Sequence, residues 1–226
     1  MSQAKKVFTR MCLNNWGGID HKVLEFHEYV NLFSGKSGSG KSTVMDAIQV
    51  ILYGSFSPSF LNKAADDAKN RRSVLSYLRG EQKDGSANRK DCDFCSVIAL
   101  EIEDTGTHII TCIGIAFEVR KSDSEIKKFV YFSHSGKMPE SEYLTEQGVC
   151  YSNQEIKKLV SARTKSDDNR GKGEVNRIYG SKEAYLGTLY DVILGYIAQH
   201  RFITMEKSAI ALKMTNGTGQ FIRDYM

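Results

Sequence analysis

The chain has 226 residues, of which 41% are hydrophobic and 26% are charged, and its formal net charge is +4. These values are ordinary for one large or two small globular domains. A net charge this small does not by itself indicate a nucleic-acid binder. The sequence has no apolar run of about 18 residues and no apolar core behind its first lysines, so it predicts neither a membrane span nor a signal peptide. We therefore expect a cytoplasmic protein that is not bound to a membrane.

Residues 7–54 contain three predicted strands followed by a helix. Val7–Leu13 and Val23–Phe26 form the first two strands, on either side of a turn at residues 14–18. Tyr29–Phe33 is apolar and β-prone and ends at a Ser-Gly turn, as a short buried strand should. The first two strands are therefore expected to form an antiparallel pair ahead of the third.

The segment after these strands is a full match to the phosphate-binding P-loop pattern GxxxxGK[ST]. Its glycines let the backbone form a concave nest of amide groups, and the start of the following helix adds partial positive charge. The helix is predicted from apolar residues at helical spacing over Thr43–Tyr53, with Gly54 placed to end it. The sequence therefore predicts a P-loop ATP-binding core over residues 1–60. Its nucleoside triphosphate site is built by Gly35, Lys36, Ser37, Gly38, Ser39, Gly40, Lys41, Ser42 and Thr43.

Three of these residues have predicted roles in phosphate chemistry. Lys41 would reach the β and γ phosphates and is the catalytic candidate, and the Ser42 hydroxyl would bind Mg²⁺. Thr43 would add a hydroxyl near the α phosphate. The alternative, a Gly/Ser-rich turn with a stray lysine, is disfavoured by the strand and helix that flank the motif.

Residues 61–94 form a predicted arginine-rich surface helix or loop, in which Arg71, Arg72 and Arg79 surround a few apolar residues. Cys92 and Cys95 have the CxxC spacing of half a zinc site or a redox pair. No second CxxC or nearby histidine pair completes a zinc site, and the pair leads straight into a strand, where positions three apart face opposite sides. We favour structural cysteines.

Residues 95–160 predict an antiparallel sheet with one face in water. Its strands are Cys95–Glu103, Thr107–Val119 and Lys128–Phe132, with a hairpin turn after the first. The polar composition of residues 161–178 then predicts a mobile loop.

Residues 179–226 form a predicted helical segment. A helix is expected over Lys182–Tyr196, an apolar stretch follows at residues 209–212, and the opening turns of another helix are expected at residues 220–226.

The sequence lacks other parts of a P-loop hydrolase. The nearest candidate for a metal-organising carboxylate strand, Ala99–Asp104, alternates apolar and acidic residues as a half-exposed antiparallel strand does, and no LSGG-like signature is present. A GTPase is disfavoured, because Asn62–Asp66 is one residue too long for NKxD and the only DxxG-like run, Asp168–Gly171, follows it in the wrong order.

At the level of whole motifs, the chain resembles the N-terminal head lobe of SMC-like ATPases of the MukB and Wadjet (JetC) type. The matching segments, in order, are residues 7–16, the P-loop and the DAIQ run at residues 32–49, the R-x-x-x-x-Y-x-R-G run at residues 72–80, residues 96–101, 211–214 and 221–225. Leu212 and Met214 depart from the Phe and Pro often found at those positions in the family.

The resemblance implies an α/β fold, namely the N-terminal lobe of an ABC/SMC-type P-loop NTPase head with an added antiparallel sheet and C-terminal helices leading to a coiled coil. It also implies a C-terminal lobe, in the same or a partner chain, that supplies the Walker B carboxylates and the signature motif. On this interpretation the sequence is a fragment of a longer protein or a truncated gene.

The function implied by the resemblance is the organisation of double-stranded DNA, driven by heads that form homodimers on binding ATP and Mg²⁺. For the Wadjet type it implies anti-plasmid defence with kleisin, accessory and nuclease subunits, near the nucleoid of a prokaryote. Arg71, Arg72 and Arg79 become candidates for contact with DNA or for head engagement, with a solvated surface as the equal alternative, and Gln199 is the candidate for the Gln loop.

Two other functions stay open at the level of sequence. A self-contained P-loop enzyme such as a nucleotide kinase would transfer phosphate to a small acceptor. A DNA-binding module independent of nucleotide would bind duplex in a salt-dependent way.

Overall fold

The computed structural model describes residues 4–36, 38–58, 61, 73–82, 84–167 and 175–210. Six strands and five helices lie in these ranges. The strands are β1 (Lys6–Trp16), β2 (Ile19–Glu25), β3 (Phe94–Asp104), β4 (Ile110–Val119), β5 (Lys128–Ser135) and β6 (Arg177–Tyr179). The helices are α1 (Lys41–Tyr53), α2 (Val74–Arg79), α3 (Asn153–Asp167), α4 (Lys182–Gly187) and α5 (Gln199–Ile210), and a π-helical turn, Thr188–Ile193, follows α4 directly.

The six strands form one sheet in the order β2-β1-β3-β4-β5-β6. Every pair of neighbours among the described strands is antiparallel, and the predicted hairpin between β3 and β4 is confirmed, with Ile98 opposite Ile115. Strands β1 and β2, which precede the P-loop, therefore continue the same sheet as β3, β4 and β5. The predicted sheet subdomain is not separate from the segment that carries the P-loop.

Both faces of the sheet are covered, because successive side chains along a strand point to opposite sides. Helices α1 and α4 and the π-helical turn contribute to the larger core on one face, whereas α3 and the loop at residues 136–151 cover the other face. The prediction of one wet face was wrong. Glu101 shows why: its side chain is only 2% exposed, and its carboxylate accepts hydrogen bonds from Thr9 Oγ1 and from the backbone N–H of Met138, both at 2.8 Å.

Helix α3 corrects the loop predicted from residue 161, because it continues to Asp167. The helix begins with a capping box, in which Ser152 Oγ accepts from the N–H of Glu155 while Glu155 Oε2 accepts from the N–H of Ser152. Its buried face uses only a few apolar residues, so its polar composition was mistaken for that of a loop. Residues 168–174 lie outside the described part of the chain.

The helix predicted over Lys182–Tyr196 is shorter and irregular. Ser181 caps α4 by accepting from the N–H of Ala184, and the π-helical turn ends at Ile193, before Tyr196 adopts a left-handed backbone with φ 61°. Helix α5 follows, and the expected segments within residues 211–226 lie outside the described residues. In the described ranges, no helix is both long and apolar enough to cross a bilayer.

Candidate nucleotide-binding site

The P-loop ends in a helix start whose backbone donors carry no side-chain cap. Gly38 and Gly40 have φ values of 86° and 89°, in the left-handed region that favours glycine, and Gly40 is the N-cap of α1. Within the described residues, no atom lies within 4 Å of a Cβ built at either glycine, so the loop leaves open space on that side. The first N–H groups of α1 therefore remain available to an anion at the positive end of the helix dipole. Ser37 lies outside the described residues.

Lys41 folds back across the loop that precedes it. Its Nζ donates to the carbonyl oxygens of Gly35 at 2.6 Å and Lys36 at 2.8 Å, and to Ser39 Oγ at 3.2 Å. The ammonium group is thus held over the loop. Ser42 is exposed in the first turn of α1, and Thr43 is half-buried beside it.

A cavity of about 530 Å³ opens beside the loop. This volume lies within the usual range for small-molecule sites, roughly 300–1,000 Å³. The walls combine P-loop groups, apolar side chains and two charged residues of the edge strand β2: Ser39, Gly40, Lys41, Val44, Phe33, Ile19, Leu24, Asp20 and Lys22. Asp20 is the only acidic residue among the described residues that line the cavity, and it pairs with Arg89 at 2.8 Å.

Helix α1 is fixed at its C-terminal end by three tyrosine hydroxyls. Tyr185 Oη donates to the carbonyl of Ile51 at 3.0 Å, and Tyr190 Oη to that of Leu52 at 2.9 Å. Tyr131 Oη donates to the carbonyl of Gly54, which ends the helix as predicted, at 2.6 Å. These bonds satisfy carbonyl groups that a helix end leaves without partners. Burial raises the pKa of Tyr131 to about 12, which keeps its hydroxyl protonated as a donor.

The first turn of α1 is fixed by Trp16, the only tryptophan of the chain. The indole is fully buried at the end of β1, and its Nε1 donates to the carbonyl of Thr43 at 2.8 Å. Tyr77 of α2 stacks on it with ring centroids 5.0 Å apart and planes 7° apart, and donates its hydroxyl to the Asp46 carboxylate. The sequence did not predict a role at the site for either aromatic residue, because both are distant from the P-loop along the chain.

The strand predicted over Tyr29–Phe33 is wrong. These residues have no regular secondary structure, and the side chains of Tyr29, Val30 and Leu32 are 76%, 78% and 88% exposed. The side chain of Asn31 instead exchanges two hydrogen bonds with the backbone of His27, at 2.7 and 2.8 Å, which closes a local turn. None of the described strands pairs with this run, so its backbone has no neighbouring strand with which to form sheet hydrogen bonds.

Within the arginine-rich segment, helix α2 is more buried than predicted. Five of the six residues of α2 are buried, and the Arg79 guanidinium donates to the carbonyls of Lys121 and Asp123, at 3.2 and 2.5 Å. Arg79 thus braces the loop between β4 and β5. Arg71 and Arg72 lie outside the described residues, and Gln199 begins α5 but does not line the cavity.

The cysteines are all free thiols, and Cys92 is exposed while Cys95 is half-buried at the start of β3. Burial raises the thiol pKa of Cys95 to about 11 and that of Cys12 to about 12, so neither forms a ready thiolate. In the part of the chain that the structure describes, no group of three or more His, Cys, Asp or Glu side chains could hold a metal ion.

Residues 8–68 match the family model for the P-loop containing region of an AAA domain. The chain has a P-loop NTPase fold. The match spans β1, β2, the P-loop and α1, and the six-stranded antiparallel sheet continues from β1. The predicted fold class, a P-loop NTPase with an added antiparallel sheet, is confirmed, while the coiled coil stays a prediction.

One protein sequence and two solved structures are similar to parts of the chain. The SbcC component of the nuclease SbcCD from Staphylococcus haemolyticus (strain JCSC1435) is 34% identical over 74 residues, which are 31% of this chain and 6% of that protein. A solved structure from work on ATP-driven dimerization and DNA-stimulated activation of SMC ATPases aligns with 88% of this chain and 98% of its own, at 15% identity and a TM-score of 0.36. The recombination mediator protein RecF with ATP, of the RecFOR pathway, aligns with 74% of this chain and 39% of its own, at 16% identity and a TM-score of 0.35. The P-loop NTPase fold is shown by the family match over residues 8–68 and by the P-loop–helix unit.

Proposed function

We propose that this chain binds ATP with Mg²⁺ at the P-loop. The observation that carries the proposal is the position of Lys41, whose ammonium group lies over the loop beside a cavity of about 530 Å³. Lys41 would exchange its bonds to loop carbonyls for bonds to the β and γ phosphates, and the N–H groups at the start of α1 would hold the same phosphates. The exposed hydroxyl of Ser42 suits a Mg²⁺ ligand, and Thr43 stands next to it.

We further propose that the chain is the N-terminal half of an SMC-like head. The exposed run at Tyr29, Val30 and Leu32 supports this, because three large apolar side chains on a β-prone segment beside the P-loop suit burial against another lobe. The local similarity to the SbcC component of SbcCD agrees with it. The second lobe, in the same or a partner chain, would supply the carboxylates and the signature motif for hydrolysis.

The specific type of head remains part of the proposal. A head of the MukB or Wadjet type would form homodimers on ATP and would act on double-stranded DNA in the cytoplasm, with kleisin and accessory subunits and, for Wadjet, in defence against plasmids. The segment bearing Arg71, Arg72 and Arg79 is proposed for head engagement or DNA contact. The bonds of Arg79 to two carbonyls make bracing of its loop the competing role.

Calorimetric titration with ATP and Mg²⁺ tests the nucleotide site. We expect saturable binding by the 226-residue chain and loss of that binding in Lys41→Ala, because the ammonium group held over the loop is removed. Lys158→Ala is the matched control, since it removes the same charge from an exposed position on α3, on the opposite face of the sheet. An undiminished affinity of Lys41→Ala for ATP would contradict the assignment of the nucleotide site to the P-loop.

Two further outcomes separate the competing functions. Phosphate transfer from ATP to a small acceptor by this chain would indicate a self-contained nucleotide kinase. Salt-dependent binding of duplex DNA that does not change in Lys41→Ala would indicate a DNA-binding module independent of nucleotide.

A further inference from the structure

The first turn of α1 is attached to residues that lie outside the P-loop motif. Trp16 Nε1 donates to the carbonyl of Thr43, the third residue of the helix, at 2.8 Å. The indole is fully buried, so this bond is shielded from water, and replacing it by a hydration bond would require the local packing to open. The position of the turn that carries Ser42 and Thr43 is thereby tied to the end of β1.

The turn between β1 and β2 packs against the same residue of α1. Gly17 has φ 60°, and a Cβ built on it would lie 2.6 Å from Thr43 Cγ2. On its other side, a Cβ on Gly80 would lie 2.5 Å from the carbonyl oxygen of Gly17. The turn is therefore closely packed between α1 and the end of α2.

Helix α2 contacts the turn, Trp16 and α1 through one residue, Tyr77. Its Tyr77 accepts from the N–H of Gly17 at 2.8 Å through the backbone carbonyl, stacks on Trp16, and donates its hydroxyl to Asp46. Asp46 is 3% exposed and lies four residues after Ser42, which places both on one side of α1. Two aromatic side chains thus hold two successive turns of the helix, at Thr43 and at Asp46.

We propose that Trp16 and Tyr77 are positioning residues of the nucleotide site. They hold the start of α1 in the place where its N–H groups, the Ser42 hydroxyl and the Thr43 hydroxyl meet the phosphates and Mg²⁺. The proposal rests on the nucleotide-binding function proposed for the P-loop. Its physical basis is that an anion nest and a metal ligand require the donors to be placed before the ligand arrives, because binding otherwise has to order them.

Trp16→Phe tests this inference, because it keeps an aromatic ring against Tyr77 and removes the Nε1–H donor. We expect the dissociation constant for ATP with Mg²⁺ to rise about fivefold, in the range that one buried hydrogen bond accounts for. The gain in affinity that Mg²⁺ gives over ATP alone should also shrink, because the Ser42 hydroxyl loses its fixed position. Tyr77→Phe, which keeps the stack and removes the hydroxyl, should act in the same direction and provides a second variant if Trp16→Phe does not fold.

Tyr190→Phe is the matched control. It removes a buried hydroxyl that donates to a backbone carbonyl at the far end of the same helix, at Leu52. We expect it to lower the thermal stability of the nucleotide-free protein without changing the affinity for ATP or its dependence on Mg²⁺. A merely structural role for Trp16 and Tyr77 predicts this same result for their variants.

The outcomes separate this inference from the function on which it rests. If the unmodified chain binds ATP, Lys41→Ala abolishes binding, and both Trp16→Phe and Tyr77→Phe bind as the unmodified chain does, the positioning role is overturned and the nucleotide site stands. If the unmodified chain does not bind ATP, or if Lys41→Ala binds ATP equally well, the proposed nucleotide site and the positioning role are both wrong.

Discussion

His134 is a fully buried histidine near the end of β5, on the face of the sheet opposite the P-loop. Its Nδ1–H donates to the carbonyl of Ser135 at 3.0 Å, and its Nε2 accepts from the hydroxyl of Tyr143 at 2.9 Å. Both nitrogen atoms are satisfied in the neutral ring. Burial, assisted by the charge of Arg163, lowers the pKa of His134 from 6.5 to about 4.

The folded protein should therefore lose stability as the pH falls. Because the pKa is lower in the folded than in the unfolded state, the stabilising contribution is complete above pH 6.5 and disappears as the pH approaches 4. Between pH 7.5 and 5 we expect His134 to lower the free energy of unfolding by about 2 kcal/mol. Urea unfolding, followed by the emission of Trp16, measures this change. An equally steep loss of stability in His134→Gln over the same interval would show that other groups cause it.

Strand β4 is packed too closely for a side chain at Gly114. A Cβ there would lie 2.5 Å from the carbonyl oxygen of Ile98 and 2.7 Å from Cζ of Phe132. We expect Gly114→Ala to lower the free energy of unfolding by about 1–3 kcal/mol, since strands on both sides would have to move. Gly180→Ala is the control, because a Cβ at Gly180 meets no atom of the described residues within 4 Å. Equal stability of the two variants in urea would contradict the packing described for the centre of the sheet.

Helix α1 and the hairpin of β3 and β4 were predictable because their signals are local. The apolar spacing of Thr43–Tyr53 and the left-handed Gly54 define the helix, and alternating residues with a turn define the hairpin. Tyr29–Phe33 has equally good β-propensity, but a strand needs a neighbour, and the sequence does not show whether one is present. The burial of Glu101 was missed for a related reason, because Met138, in the loop that covers it, is 37 residues away along the chain.

In the candidate site, too, only the residues with a local signal could be predicted from the sequence. The P-loop residues were identified from their motif, since the glycines and Lys41 act within nine consecutive positions. The groups that hold α1 were not, because Trp16 and Tyr77 come from distant positions, and so do the tyrosines that cap its carbonyls. Composition alone placed α2 on the surface, whereas its apolar residues and the Arg79 guanidinium are turned inward.

At the scale of the whole molecule, the proposed nucleotide site lies at one edge of the sheet. The cavity is bounded by the edge strand β2 and by the P-loop, and the exposed residues Tyr29, Val30 and Leu32 lie in the segment that connects the two. A site in this position is open to groups from another lobe. This arrangement suits a site in which one lobe holds the nucleotide and another completes the chemistry.

The most direct test of a nucleotide-binding half-site measures ATP binding and ATP hydrolysis on the same preparation of the chain. We predict saturable binding that depends on Lys41 and hydrolysis close to the uncatalysed background, because the carboxylates for hydrolysis would come from the second lobe. Turnover at about 1 s⁻¹ or faster, as in ordinary enzymes, or binding that survives Lys41→Ala, would contradict it.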